Sequence, residues 1–312
     1  MTSKTQKVIV EIMASSVTRV VLSILLGFLF GGIFMVLFNE NVVATYANFF
    51  SAPGDTFAAA FQTIVDGYGA LIRGAIFNPN GKDIVAMFRP ITETLRMSAP
   101  LIMAGLRLAL GFRVGLFNIG GTGQIVMGLV ASTWVSTRMD LPPIIHMIVA
   151  LIAAVVASAA WGAVAGFLKA RTGAHEVIVT IMMNYIALNF FTWMLRTDGL
   201  LHAATGGGTP KSDPPAESAM LPTLFGDLYK LHIGIFIAVI AAFAYWLLME
   251  RSAIGYRFRM VGHNANAARA AGIKVERTFI WAMAGDNTDF TIGWRKDMAP
   301  VFVRRALEAL RA

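Results

Sequence analysis

Asn118, Thr122 and Gln124 lie within Val114 to Gln124, an element broken by Gly115, Gly120, Gly121 and Gly123 and set between two apolar runs. Side-chain amides at membrane depth need a protein partner or a water-filled cavity. A broken helix adds backbone N–H and C=O groups to that need, and such a break is tolerated where protein or a hydrophilic path satisfies them. The chemistry implied is hydrogen bonding to something polar in transit. The bland alternative is that the amides only tie helices together. For Asn118 to Gln124 the pathway reading is preferred, whereas for Asn184, in the run from Glu176 to Leu195, both stand. Asn189 lies in that same run. Bond-making chemistry has no comparable support. No Ser, His and Asp constellation is present, and the five scattered histidines show no metal-ligand spacing, so neither catalytic nor metal residues are expected. Gly120, Gly121 and Gly123 lack the lysine that a phosphate-binding loop requires, so ATP hydrolysis by this chain is not expected.

Elements of membrane character must position these groups. Of 312 residues, 56% are hydrophobic and 14% charged, and mean hydropathy is +0.64. That composition predicts an all-α polytopic transmembrane bundle. The net charge of +8 comes from short segments between apolar runs, where it orients the chain, so nucleic acid is not an expected partner. The absence of Cys excludes disulfides and thiolate chemistry.

The run Val20 to Phe38 follows Lys4, Lys7 and Arg19 and is long enough to cross a core of about 30 Å. It reads as an anchor with its N-terminus inside rather than a cleaved signal. Residues 39 to 95 read as an outer segment with an amphipathic helix near Thr56 to Ile76. Further runs at 97–112, 122–137, 143–168, 176–195 and 232–249 bring the expected spans to about six, with a discontinuous helix near 114–124. Residues 251–277 carry six Lys or Arg against Glu276 alone, which predicts a cytoplasmic loop, and 196–231 is more acidic and predicted external. Thr205 to Pro215 reads as a surface loop.

Gly162 and Gly166, like Gly27 and Gly31, have small-xxx-small spacing that predicts close helix packing. Arg107 is expected to snorkel or pair. In the cytoplasmic loop, Asn264 is a good N-cap, Ala265 to Ala271 favours helix and Gly272 is a natural stop. A short rigid helix there could dock a soluble partner or merely close a loop.

Three stretches, in order, resemble the permease subunits of ABC importers, specifically the nucleoside and simple-sugar branch related to ribose and branched-chain amino acid permeases. They are Gly115 to Gln124 (GLFNIGGTGQ), His175 to Leu188 (HEVIVTIMMNYIAL) and Val261 to Ile273 (VGHNANAARAAGI). The resemblance covers residues 15 to 285 and implies that Asn118, Gly120, Gly123 and Gln124 line or shape the central path, with Asn184 a further pathway candidate. It also implies that Gly262, Asn264, Ala267, Ala268, Arg269 and Gly272 form the helix that contacts an ATPase subunit. The implied partners are that ATPase, a second permease subunit, an extracytoplasmic solute-binding protein, a small-molecule solute and membrane lipid. ATP would be used by the partner and no cofactor bound here. The implied location is the bacterial inner membrane.

The permease domain is therefore read as residues 1–285 and an atypical polar tail as 286–312. The resemblance implies further spans beyond the loop, and Phe279 to Gly285 begins one. Asp286 and Asp289 then oppose insertion at about 2.5 to 3.5 kcal/mol each, which fits a truncation or frameshift near residue 286, with Val301 to Ala312 as a basic surface helix. A truncated, non-transporting remnant or scaffold is the alternative function, and a branched-chain amino acid permease is a second. An ion-driven transporter would need intramembrane acids, which the spans almost lack.

Overall fold

In the computed structural model, the described residues are 15–203, 210–226 and 228–285. The tail 286–312 and residues 204–209 of the expected surface loop lie outside them, so the expectations placed on the tail are not addressed by the structure. The described chain is built of α-helices, with one isolated bridge between Thr223 and His232. It forms two compact units, Met1–Ile91 and Thr92–Ala312.

In the first unit, α1 (Ser16–Phe38) is capped by Ser15, whose Oγ accepts from the Thr18 N–H at 3.1 Å. A short α2 (Glu40–Thr45) leads to α3 (Pro53–Ala75), which begins on a proline with Asp55 in its first turn, both favoured at a helix start. This is the amphipathic helix expected near Thr56 to Ile76. Gly31 faces the Tyr68 hydroxyl of α3, which an added Cβ would approach to 3.1 Å, whereas Gly27 has nothing within 4 Å. Only the second glycine of that pair therefore serves packing. The Tyr68 hydroxyl also donates to the Phe28 carbonyl.

Helix α4 (Ile84–Val114) begins well before the apolar run at 97–112. The hydropathy signal starts late because Arg89, Glu93 and Arg96 occupy the early turns, while Asp83 Oδ1 caps the helix by accepting from the Ala86 N–H at 2.6 Å. Then follow α5 (Gly121–Arg138), α6 (Pro143–Thr172), α7 (Glu176–Arg196), α8 (Gly234–Arg251), α9 (Ala253–His263), α10 (Ala265–Ala270) and α11 (Val275–Gly285).

Among the described residues, five helices are long and apolar enough to cross a membrane: α1, α4, α6, α7 and α8. The sixth expected span, at 122–137, is helical as α5 but too polar to join them. Helix α5 packs against both α6 and α7, and buries Gln124, Ser132, Thr133 and Ser136. Its hydroxyls bond back to carbonyls of the preceding turn, as from Thr133 to Leu129 at 2.6 Å and from Thr137 to Thr133 at 2.8 Å. Protein rather than lipid surrounds it, which is why its composition departs from that of a span.

Gly162 and Gly166 do pack closely. A Cβ at Gly166 would fall 2.8 Å from Ile280 Cα, and one at Gly162 would fall 2.3 Å from the Met283 carbonyl oxygen, so α6 and α11 approach backbone to backbone. Two larger apolar cores complete the second unit, beside a small one of Ala99, Met103 and Ala238. One joins Val126 and Val130 to Ala187, Phe191 and Leu195. The other gathers Leu110, Val114 and Leu116 with Met249, Phe258, Val261, Ala268, Val275 and Met283.

Candidate functional site

Helix α4 stops at Gly115, whose φ of +75° is the left-handed geometry that glycine adopts at no steric cost. The Gly115 N–H donates to the Phe112 carbonyl at 3.2 Å and the Leu116 N–H to the Gly111 carbonyl at 2.9 Å, which satisfies two of the last orphan carbonyls. After six non-helical residues, 115–120, α5 starts, and Asn118, buried, accepts the Gly120 N–H on Oδ1 at 2.7 Å. Gly120 has no room for a side chain, since its Cβ would lie 2.9 Å from both Asn118 Oδ1 and Thr180 Cβ.

Asn184 reaches this break from α7 and holds both of its sides. Its Oδ1 accepts the Gly123 N–H at 2.7 Å, and its Nδ2 donates to the Ile119 carbonyl at 3.1 Å. One amide therefore serves an orphan donor of the α5 start and a carbonyl of the non-helical stretch. Gln124 is also buried and donates from Nε2 to the Met283 carbonyl of α11 at 3.1 Å. Gly162 makes space for it, because a Cβ there would stand 2.1 Å from Gln124 Nε2. Gln124 Oε1 and Trp161 Nε1 are buried without a hydrogen-bond partner among the described residues. A spare acceptor and a spare donor thus occur close to Gly123, whose Cβ would come 3.0 Å from Trp161 Nε1.

The structure brings Asn118, Gly120, Gly123, Gln124 and Asn184 together around one break. Arg107 departs from the snorkelling expectation: it is buried, with its guanidinium against Gly121, where an added Cβ would lie 2.1 Å from Nη2. Trp161, Gly162 and Met283 complete the site and were not singled out for it, because nothing local in an Ala-rich run or a last helical turn marks a partner for Gln124.

The second set of residues forms a hairpin of α9, α10 and α11. Ser252 caps α9 by accepting the Gly255 N–H at 3.0 Å. Asn264 caps α10, its Oδ1 accepting from the N–H groups of Asn266 and Ala267, each at 3.0 Å. Gly272, at φ +82°, ends that turn, and the Ile273 N–H closes on the Ala268 carbonyl at 3.0 Å. Ala268 points into the core while Ala267, Arg269 and Gly272 remain exposed. Arg269 folds back onto Glu276 at 2.7 Å. The Glu276 carboxyl is held below the ordinary glutamate range, first by its own backbone N–H and then by Arg269, so the pair persists above that range and is lost as pH falls below it. Replacing Asn264 with alanine should cost about 1 kcal/mol of cap energy. Faster amide hydrogen exchange at Asn266 and Ala267, with the rest of the hairpin unchanged, is the expected readout.

Hairpin and break touch through backbone. A Cβ on Gly262 would lie 2.2 Å from the Arg113 carbonyl oxygen, and one on Gly115 would lie 3.4 Å from Gly262 Cα. Arg113 also pairs with Glu250 at 3.1 Å, and Arg259 meets the same carboxylate at 3.5 Å. The buried core of the hairpin is continuous with Leu110, Val114 and Leu116. The contact belongs to α9, so a displacement of α10 reaches the last turn of α4 and the first residues of the break through α9.

The family described as branched-chain amino acid transport system / permease component matches residues 91–286. The guanosine ABC transporter permease protein NupP of Bacillus subtilis (strain 168) is 38% identical over 225 residues, which are 71% of this chain and 60% of that protein. The nucleoside ABC transporter permease protein NupB of Lactococcus lactis subsp. cremoris is 31% identical over 289 residues, covering 91% of this chain and 68% of that one. The glucose ABC transporter permease protein TsgB13 of Haloferax volcanii is 31% identical over 226 residues, 70% of this chain and 56% of its own length. The match thus spans 56% to 68% of these curated relatives. No solved structure matches.

Proposed function

Because the chain belongs to the branched-chain amino acid transport system / permease component family, and five of its helices are built to cross a membrane, we propose that this multi-pass membrane protein is the permease subunit of an ATP-driven importer of nucleosides. It forms the path for the solute. A separate ATPase docks on α10, a second permease subunit completes the path, and an external binding protein delivers the solute. The basic loop at 251–277 lies in the cytoplasm with the N-terminus, and the membrane is the bacterial inner membrane.

The backbone contact of Gly262 with Arg113 is the observation that carries this reading. A short, capped, exposed helix joined through α9 to the end of a broken membrane helix is what coupling requires, since force applied at one must alter the other. ATP-driven closure of the ATPases moves α10, the hairpin pushes on the end of α4, and the break at Asn118 to Gln124 switches its access from outside to inside. Nucleosides are preferred over simple sugars because two of the relatives named above are described as guanosine and nucleoside permeases. Import of labelled guanosine, with glucose as the comparison, by vesicles containing the complete importer tests the substrate. Uptake of glucose alone would reassign it.

Arg269→Glu tests the coupling. The charge reversal sets a carboxylate against Glu276, on an exposed face where it does not threaten the core. ATP hydrolysis by the assembled complex should continue while uptake falls by an order of magnitude or more, roughly the effect of losing 1.4 kcal/mol of coupling. Unchanged uptake in that variant would argue against α10 as the docking helix.

A further inference from the structure

The open faces of the membrane helices differ in kind. That of α6 presents Ile144, Ile148, Ile152 and Val156, and that of α8 presents Phe236, Val239, Ile240 and Phe243. Both are surfaces that lipid can cover without loss. Helix α7 is two-sided in another way. It buries Thr180, Met183, Ala187 and Phe191 on one side, and on the other exposes Met182, Tyr185, Ile186, Asn189 and Trp193, residues that recur at helical spacing along one stripe.

Asn189 is the anomaly in that stripe. It lies about 10 Å in from the Arg196 end at 1.5 Å per residue, well within membrane depth. Its amide bonds only to its own helix among the described residues, donating to the Tyr185 carbonyl at 2.8 Å. The remaining amide hydrogen and the oxygen face outward, and hydrocarbon offers them nothing at a cost of several kcal/mol. The stripe therefore meets something polar enough to use an amide and flat enough to use rings. Tyr185 and Trp193 are half exposed, and Phe190 lies beside Trp193 with ring centroids 5.6 Å apart. These side chains line a shallow, open depression along one face of the helix, with about 490 Å³ of space against it.

We propose that this face of α7 is a contact surface for the base of the transported nucleoside, which stacks on Tyr185 and Trp193 while Asn189 hydrogen-bonds its edge. A planar nitrogen heterocycle fits better than a free sugar. One amide in an otherwise apolar lining can satisfy one edge of a base, but would leave most hydroxyls of a sugar unpaired at a cost for each. Stacking on aromatic side chains is available to every base. The inference rests on the nucleoside-permease reading and adds to it a specific surface away from the break.

The chain contains no cysteine, so single-cysteine variants report without background. Asn189→Cys, Ile152→Cys and Val239→Cys are compared in vesicles containing the complete importer, using a water-soluble thiol reagent with and without guanosine. Asn189→Cys should be modified and then protected several-fold by guanosine but not by glucose, while the two cysteines on the α6 and α8 faces stay inert. Trp193→Leu should raise the KM for guanosine several-fold with little change in kcat. An Asn189→Cys as inert as the controls shows a face covered by lipid or by a partner helix, and overturns the proposal. So does modification that guanosine leaves unaltered in a complex that imports guanosine. If the unaltered complex imports no guanosine, the nucleoside reading fails and this surface assignment fails with it.

Discussion

Asn184→Leu should abolish uptake and lower the melting temperature of the purified chain more than any other single amide replacement in the bundle. The side chain removed holds the Gly123 N–H and the Ile119 carbonyl at once, and leucine leaves both orphaned. An ordinary interhelical polar contact in a membrane contributes only about 0.6 kcal/mol, because the unfolded helix finds other partners. Asn184 differs in that its partners are backbone groups at a break, and each buried group left unsatisfied costs about 1 to 3 kcal/mol. Asn184→Asp should be intermediate, since it keeps an acceptor for Gly123 and loses the donor to Ile119. Asn189→Leu supplies the contrast, for its one bond returns to its own helix and its loss should leave thermal stability near wild type. Thermal unfolding in detergent distinguishes these cases. An Asn184→Leu chain that melts with wild type would mean that the break is held by other groups.

Gly262→Ala carries the other large effect. A single methyl would sit 2.2 Å from the Arg113 carbonyl oxygen and about 3 Å from the backbone carbons beside it. No side chain can swing aside there, because the obstruction is backbone at the end of α4. Overpacking of this kind costs about 3 kcal/mol, and the relief available is to lift the hairpin from the break. The variant is expected to assemble poorly or, where it assembles, to hydrolyse ATP with little transport. Gly105→Ala in α4 serves as the matched control, because its Cβ would meet nothing within 4 Å. Transport per ATP hydrolysed is the deciding ratio, and a normal ratio in Gly262→Ala would refute the direct mechanical contact.

What could be read in the sequence was whatever is local. Asn264 and Gly272 bracket an alanine-rich turn, and the structure caps and ends α10 at those residues. The glycines of 115 to 123 announced a break, and the break is there. The start of α4 was misplaced because hydropathy reports contact with lipid rather than helicity, so charged early turns escape it. Of the two outcomes expected for Arg107, snorkelling and pairing, its burial excludes the first. The clasp from Asn184 and the bond from Gln124 to Met283 join residues far apart in the chain, and no pattern within a single segment could have specified either. Gly162 carried a signal, small-xxx-small spacing, that pointed to close packing without naming the amide it accommodates.

The self-contained hydroxyl bonds and polar makeup of α5 bear on how the protein is made. A segment that is not apolar enough to remain in the bilayer alone has little tendency to leave the insertion machinery by itself. Most of its protein contacts come from α6 and α7, which are synthesised later. During biogenesis α5 must therefore wait, sheltered, until those two helices arrive, and the three should enter the membrane as a group. A nascent chain arrested before α6 is expected to leave α5 accessible to water even with α1 and α4 already integrated.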